Sequence, residues 1–313
     1  MRGDEIPSPY PAKQIARALA EGTPDPVIRQ RTLDRMKTAD PADRASAVRR
    51  DTATLVAELV LPLLAAGSIV IWLQMQQWYG VRERYAVPFF AFEKLEGQFH
   101  SEILRRTLLL FVLAAVLYAA GFALLARANR ISLPLKVTAL AFMLGPALIN
   151  VAVYPAGALD VFNYMVDLKL AYHYDANPYV VTMPDYIMDD PIIQSAFLLH
   201  IPLFYGPAWL LLSGIPAAIT GFDDAVDLLM ALKAFNAVLM GLTALLIARA
   251  QPTPRRRWLA AFLFLANPLL VFEGIGNAHN DVLMTVFLVA AVYAMRQRRG
   301  APAGWAAAPA LAL

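Results

Sequence analysis

Long apolar runs and short polar motifs alternate along this chain, and the alternation predicts its architecture. Apolar segments near the ~20 residues that a helix needs to cross a bilayer run over 53–73, 106–126, 134–154, 226–248, 258–275 and 281–295. A further stretch, PAWLLLSGIPAAITG (207–221), is short and carries Gly and Pro interruptions, so it reads as a re-entrant or surface-lying helix. The last residues, GWAAAPALAL, begin another span and stop inside it. The expected fold is an all-α polytopic transmembrane bundle, incomplete at its C-terminus.

The pattern changes character outside the spans. Residues 1–51 hold ten Lys/Arg and eight Asp/Glu, with PSPYP and ADPAD breaking any long helix; they are expected to form a cytosolic polar N-terminal arm with one short helix over 11–20. Residues 52–313 form the membrane domain. Within it, 155–205 is a long loop in which Asp160, Tyr164 and Asp167 recur at i, i+4 and i+7. Val161, Met165, Leu168 and Tyr172 recur at the same spacing on another face. The two stripes predict an amphipathic helix over 160–175, suited to lying in the interface with its apolar face on the bilayer.

Composition supports the membrane reading. Hydrophobic residues make up 59% of 313, charged residues 16%, and mean hydropathy is +0.51. A soluble core cannot absorb that much apolar surface. The chain has no Cys, which excludes disulfides and thiol chemistry. The pI near 9.1 does not indicate nucleic-acid binding, because the basic residues sit at span ends.

Those basic residues orient the chain. Arg44, Arg49 and Arg50 precede the first span, and Arg127, Arg130 and Lys136 lie between the second and third. Arg249 with Arg255–Arg257, and Arg296 with Arg298 and Arg299, form two more clusters. The loop 155–205 has one basic residue, Lys169, against six acids. Loops 155–205 and 276–281 are therefore expected outside and the arginine clusters in the cytosol. An odd number of crossings must separate the outer loop from Arg249, which a non-crossing 207–221 provides; the alternative is that 207–221 spans and a neighbouring segment does not.

Four polar motifs remain: LDVFNY (159–164), ANPY (176–179), YGPAW (205–209) and GNAHND (276–281). Polar groups beside hydrocarbon are costly and usually mark a site. Asp160 can cap a helix, or it can take the proton of an acceptor hydroxyl, as inverting glycosyl transfer requires. The leaving phosphate of a lipid-linked donor then needs only hydrogen-bond donors or positive charge. ANPY and YGPAW combine turn residues with aromatics and read equally as turns and interface anchors. In GNAHND one helix cap explains only one of Asn277, His279, Asn280 and Asp281, and His279 can bind phosphate or a sugar hydroxyl. The only charges well inside spans, Glu58 and Lys233, leave a transporter or flippase of a lipid-linked sugar as the alternative, with a non-catalytic scaffold behind it; no internal repeat supports a transporter.

In their order, these motifs resemble the bacterial polyprenol-phosphate-mannose-dependent mannosyltransferases, within the GT-C membrane glycosyltransferases. That family has an Asp-Val-aromatic segment in its first large outer loop, then NPY, then YGP with a Trp, then a GN-HND stretch between spans. The resemblance covers about 155–300. It implies a plasma-membrane enzyme that moves mannose from a polyprenyl-phosphate donor to a glycan or glycolipid acceptor at the outer face, with no role for nucleic acid. It makes Asp160 the general base. Tyr164, Asn177, Tyr179, Tyr205, Trp209, Asn277, His279, Asn280 and Asp281 become candidates to line the donor and acceptor site, and Asp167, on the face of Asp160, joins them. A divalent metal shared by Asp160 and Asp167 is compatible with the wider superfamily, but the sequence requires none.

Overall fold

The computed structural model describes residues 41–82, 101–182, 190, 192, 193, 198 and 200–296, and its helices begin where the sequence supplies a cap. In chain order they are α1 (Pro41–Trp78), α2 (Ser101–Arg127), α3 (Leu133–Val151), α4 (Asp160–Tyr172), α5 (Pro207–Thr220), α6 (Ala225–Arg249), α7 (Pro254–Leu265), α8 (Pro268–Val271) and α9 (Asp281–Arg296). A five-residue π-helical segment, Phe272–Gly276, follows α8 directly. Ser132, Asp224, Thr253 and Asn267 each place a side-chain oxygen on N–H groups of the turn that follows, opening α3, α6, α7 and α8. Proline follows the cap of α3, α7 and α8, where its missing N–H leaves no helical bond unmade.

The segments Thr52–Trp78, Arg105–Arg127, Leu133–Val151 and Ala225–Arg249 are long and apolar enough to cross a membrane, where spans were expected. Their outward faces carry large apolar side chains such as Leu59, Leu63, Val112, Leu148 and Val238, a surface made for lipid. This is an all-α polytopic bundle. The expected straight span over 258–275 is instead broken: α7 and the helix from Pro268 to Gly276 meet at 55°. The break has a local cause, since Asn267 caps a new helix through Leu269 N–H (3.0 Å) and Pro268 cannot continue the old one. α5 is 14 residues, or roughly 21 Å, short of a ~30 Å hydrocarbon core. The expected helix at 11–20 and the span beginning near Trp305 lie outside the described residues.

The chain divides after Thr52 into two units, Met1–Thr52 and Ala53–Leu313; the account from here concerns the second. Side chains tie its helices together at two opposite ends. At one end Ser132 Oγ donates to Glu58 Oε1 (2.6 Å), and Arg255 Nε donates to Ala128 O (2.9 Å). The arginine-rich loops 127–136 and 249–257 are thus neighbours. At the other end, Tyr79 and Val81 exchange backbone bonds with Tyr154 and Ala152, and the buried Lys233 Nζ donates to Val153 O. Glu58 and Lys233 are therefore engaged in structure.

α4 departs from expectation in its surroundings. It starts at Asp160 but ends at Tyr172, and every residue from Val161 to Leu170 is buried. Its apolar face packs on protein, against Trp209, Leu228, Leu229 and Ile193 in one core cluster, rather than floating on lipid. Its polar face is covered too. Lys169 makes this possible: its ammonium lies 2.6 Å from Asp190, with both side chains 8% exposed, and it donates to Phe222 O (3.1 Å).

Candidate active site

Asp160 is the first residue of α4, but it does not cap it. The cap position is Leu159, and no side chain supplies the capping bond. The carboxylate instead projects from the helix start with about a third of its surface exposed. Beside it stands His279, whose Nδ1 lies 3.6 Å from Asp160 Oδ2. That is contact without a good hydrogen bond, and among the described residues no hydrogen bond engages this carboxylate. It is free to accept one from a ligand.

His279 is held from its other side by a residue that sequence reasoning passed over. Glu273 Oε2 lies 3.2 Å from His279 Nε2 and accepts from Asn277 Nδ2 (2.8 Å). Asn277, fully buried, in turn accepts from Gly157 N–H through Oδ1 (3.0 Å), just ahead of Asp160. Glu273 sits on the π-helical segment, a feature often found at functional sites. Asn236 of α6 anchors that segment, its Nδ2 donating to Gly274 O and His279 O, both at 2.9 Å. Gly274 allows the approach, since a Cβ there would stand 2.7 Å from Met240 Sδ.

The aromatic motif residues form a second layer. Tyr164, Tyr205 and Trp209 pack mutually with ring centroids 5.1–5.3 Å apart. The Tyr164 hydroxyl lies 3.3 Å from Tyr205 OH and donates to Asn280 Oδ1, also at 3.3 Å. Asn280 is thereby engaged with α4. Burial raises the Tyr164 phenol, with Tyr205 adding to the effect, and burial likewise raises that of Tyr205; both stay protonated donors. Tyr164 and Trp209 are almost fully buried, so they support the site from beneath.

Other expected residues stand further off. Asn177 builds a turn, its Oδ1 accepting Tyr179 N–H (3.0 Å), and Leu203 N–H bonds Pro178 O (2.8 Å) to close it. Tyr179 is partly exposed, its phenol raised first by burial and then by the charge of Asp167. Asp167 itself is buried, and burial pushes its carboxyl up to about 8. The shared metal site for Asp160 and Asp167 is not formed: seven residues along a helix separate them by roughly 10 Å. Among the described residues no group of three or more His, Asp or Glu side chains is placed to hold a metal.

Asp281, His279 and Glu273 line a cavity of about 280 Å³, together with the apolar Met240, Leu270 and Val282. Asp160, Tyr164, Tyr205, Trp209, Asn277, His279 and Asn280 therefore converge, with Glu273 and Asn236 joining them. They do so at the end of the bundle opposite the arginine loops. Against known proteins, residues 61–313 match the family model described as "Alpha-(1->6)-mannopyranosyltransferase, N-terminal domain". No curated protein and no solved structure matches the chain.

Proposed function

The chain belongs to the alpha-(1->6)-mannopyranosyltransferase family and is a glycosyltransferase built on membrane-spanning helices; on that premise we propose how and where it transfers mannose. The donor is a polyprenyl-phosphate mannose, the acceptor a hydroxyl of a glycan or glycolipid, and the architecture is of the GT-C kind. The reaction takes place at the outer face of the bacterial plasma membrane, because the site lies opposite the arginine clusters that mark a cytosolic end.

One observation carries this reading. Asp160 presents a partly exposed carboxylate, without a capping bond, beside His279, which itself lines an apolar-walled cavity. In the proposed step Asp160 takes the proton of the acceptor hydroxyl. The acceptor oxygen forms a bond to the anomeric carbon, and the bond from that carbon to the phosphate oxygen breaks. The electron pair leaves with the lipid phosphate. His279, between Asp160 and Glu273, orients the base. Met240, Leu270 and Val282 suit the isoprenoid end of the donor nearest the phosphate, and the sugar lies between Asp160 and the 205–209 loop.

The test supplies membranes containing the full chain with radiolabelled polyprenyl-phosphate mannose, polyprenyl-phosphate glucose or polyprenyl-phosphate arabinose. Label is expected in acceptor only from the mannose donor, in α-(1→6) linkage. Transfer from a nucleotide sugar in membranes free of lipid-linked donor would overturn the proposed donor class.

A further inference from the structure

We propose that Glu273 is a positioning residue of this active site, fixing Asp160 through His279 and Asn277 at once. The inference rests on Asp160 being the base.

A carboxylate in the apolar run 258–275 is costly beside hydrocarbon, and helix packing does not account for it. Its Oε2 receives Asn277 Nδ2 at 2.8 Å and faces His279 Nε2 at 3.2 Å. From there two routes lead to Asp160. Through Asn277 Oδ1 one reaches the backbone N–H of Gly157 at 3.0 Å, setting the turn from which α4 departs. Through His279 Nδ1 the other reaches the Asp160 carboxylate, 3.6 Å away. One oxygen thus governs both the backbone ahead of the base and the ring beside it. The backbone around it is held as well: Asn236 anchors the π-helical segment at Gly274 O and His279 O, and a Cβ on Gly157 would stand 2.5 Å from Asn277 Nδ2.

Positioning, through the Asn277 hydrogen bonds and the contact with His279, and direct chemistry by the carboxylate predict different results. Glutamine at 273 keeps an oxygen that accepts from Asn277 and keeps its shape beside the imidazole, but carries no charge. Alanine keeps neither. With the full chain in detergent or membranes, Glu273→Ala is expected to lower kcat at least tenfold while the apparent donor KM stays within about twofold. Glu273→Gln is expected to keep kcat within about threefold of the parent. Because Glu273 acts through His279, the Glu273→Ala, His279→Ala double variant should lose less than the product of the two single losses, by at least threefold.

Asp160→Asn runs beside these variants as the control for the reading beneath. If Asp160→Asn leaves turnover intact, the base assignment falls. If Asp160→Asn abolishes turnover while Glu273→Ala is as active as the parent, Glu273 is not a positioning residue and the base assignment stands. A Glu273→Gln protein with the parent's melting midpoint but the kcat of Glu273→Ala would equally overturn the proposal, making the negative charge itself the requirement. A Glu273→Ala protein that fails to fold leaves the decision to Glu273→Gln and to the coupling of Glu273→Gln with His279→Ala.

Discussion

Lys169 and Asp190 make the clearest energetic prediction, because the pair joins the helix of Asp160 to a distant part of its loop. Both side chains are 8% exposed and 2.6 Å apart. Asp190 also accepts from Tyr174 OH at 2.8 Å and from Ile192 N–H at 2.9 Å. Burial pulls its carboxyl upward, but the bonds from Lys169, Tyr174 and Ile192 outweigh this and leave it below the usual carboxylate range. Asp190→Asn removes the charge and strands a buried ammonium that keeps its bond to Phe222 O. Removing one member of a buried pair costs about 3–5 kcal/mol, and the surviving bond to Phe222 puts the expectation at about 3. Lys169→Met with Asp190→Asn removes both charges and should cost about 1 kcal/mol or less. The assay is a double-mutant cycle on denaturation midpoints in detergent, with hydrogen exchange along α4 as the local readout. The sign with pH follows from the lowered carboxyl: its stabilisation is fully present above the unfolded value near 4 and is lost only as pH falls through the folded value. The cycle should therefore give the same coupling from pH 5 to 8. Asp190→Asn melting with the parent, or a double variant less stable than Asp190→Asn alone, would refute the reasoning.

Further outcomes follow from the same geometry. Asp167 is pushed up to about 8 by burial, so the folded state holds its proton between about pH 4 and 8 and stability falls as pH rises through that window; Asp167→Asn should flatten this slope and stabilise the fold at pH 8.5 by on the order of a few kcal/mol, read from denaturation of the purified variant. Gly157→Ala drives a Cβ to 2.5 Å from Asn277 Nδ2 and 2.9 Å from Phe272, which should cost about 1–3 kcal/mol and depress turnover, both read on the purified variant. Cysteine at the exposed positions Val180 and Arg256, in a chain without native Cys, should be labelled by an impermeant thiol reagent from opposite sides of intact cells, Val180→Cys from outside.

Much of the site was legible because it was chemically out of place. Asp160, Tyr164, Tyr205, His279 and Asn280 are polar groups at the mouths of apolar runs, and the fold gathers them. Asp160 reads from sequence as either cap or base; only its helix geometry shows that Leu159 occupies the cap position. Glu273 was overlooked because it falls inside a segment whose average is apolar, although a carboxylate there, between Gly274 and a phenylalanine, was itself the signal. Asn236 lay hidden in the same way in α6. The covering of α4 was not legible: its stripes resemble an interfacial helix, and what buries them is Lys169 pairing with Asp190 across 21 positions, a contact with no local signature. The break in the span over 258–275 was marked by Asn267 and Pro268, a cap and a proline within an apolar run.

The central claim is that the Asp160 carboxylate deprotonates the acceptor, and single-turnover transfer by Asp160→Asn measures it most directly. Asparagine preserves size, and since Asp160 makes no capping bond, α4 should keep its stability. With the full chain in membranes and saturating polyprenyl-phosphate mannose, the transfer rate is expected to fall by on the order of 10²–10⁴-fold with an unchanged melting midpoint. A rate within a few-fold of the parent would contradict the account and remove Asp160 from the chemistry.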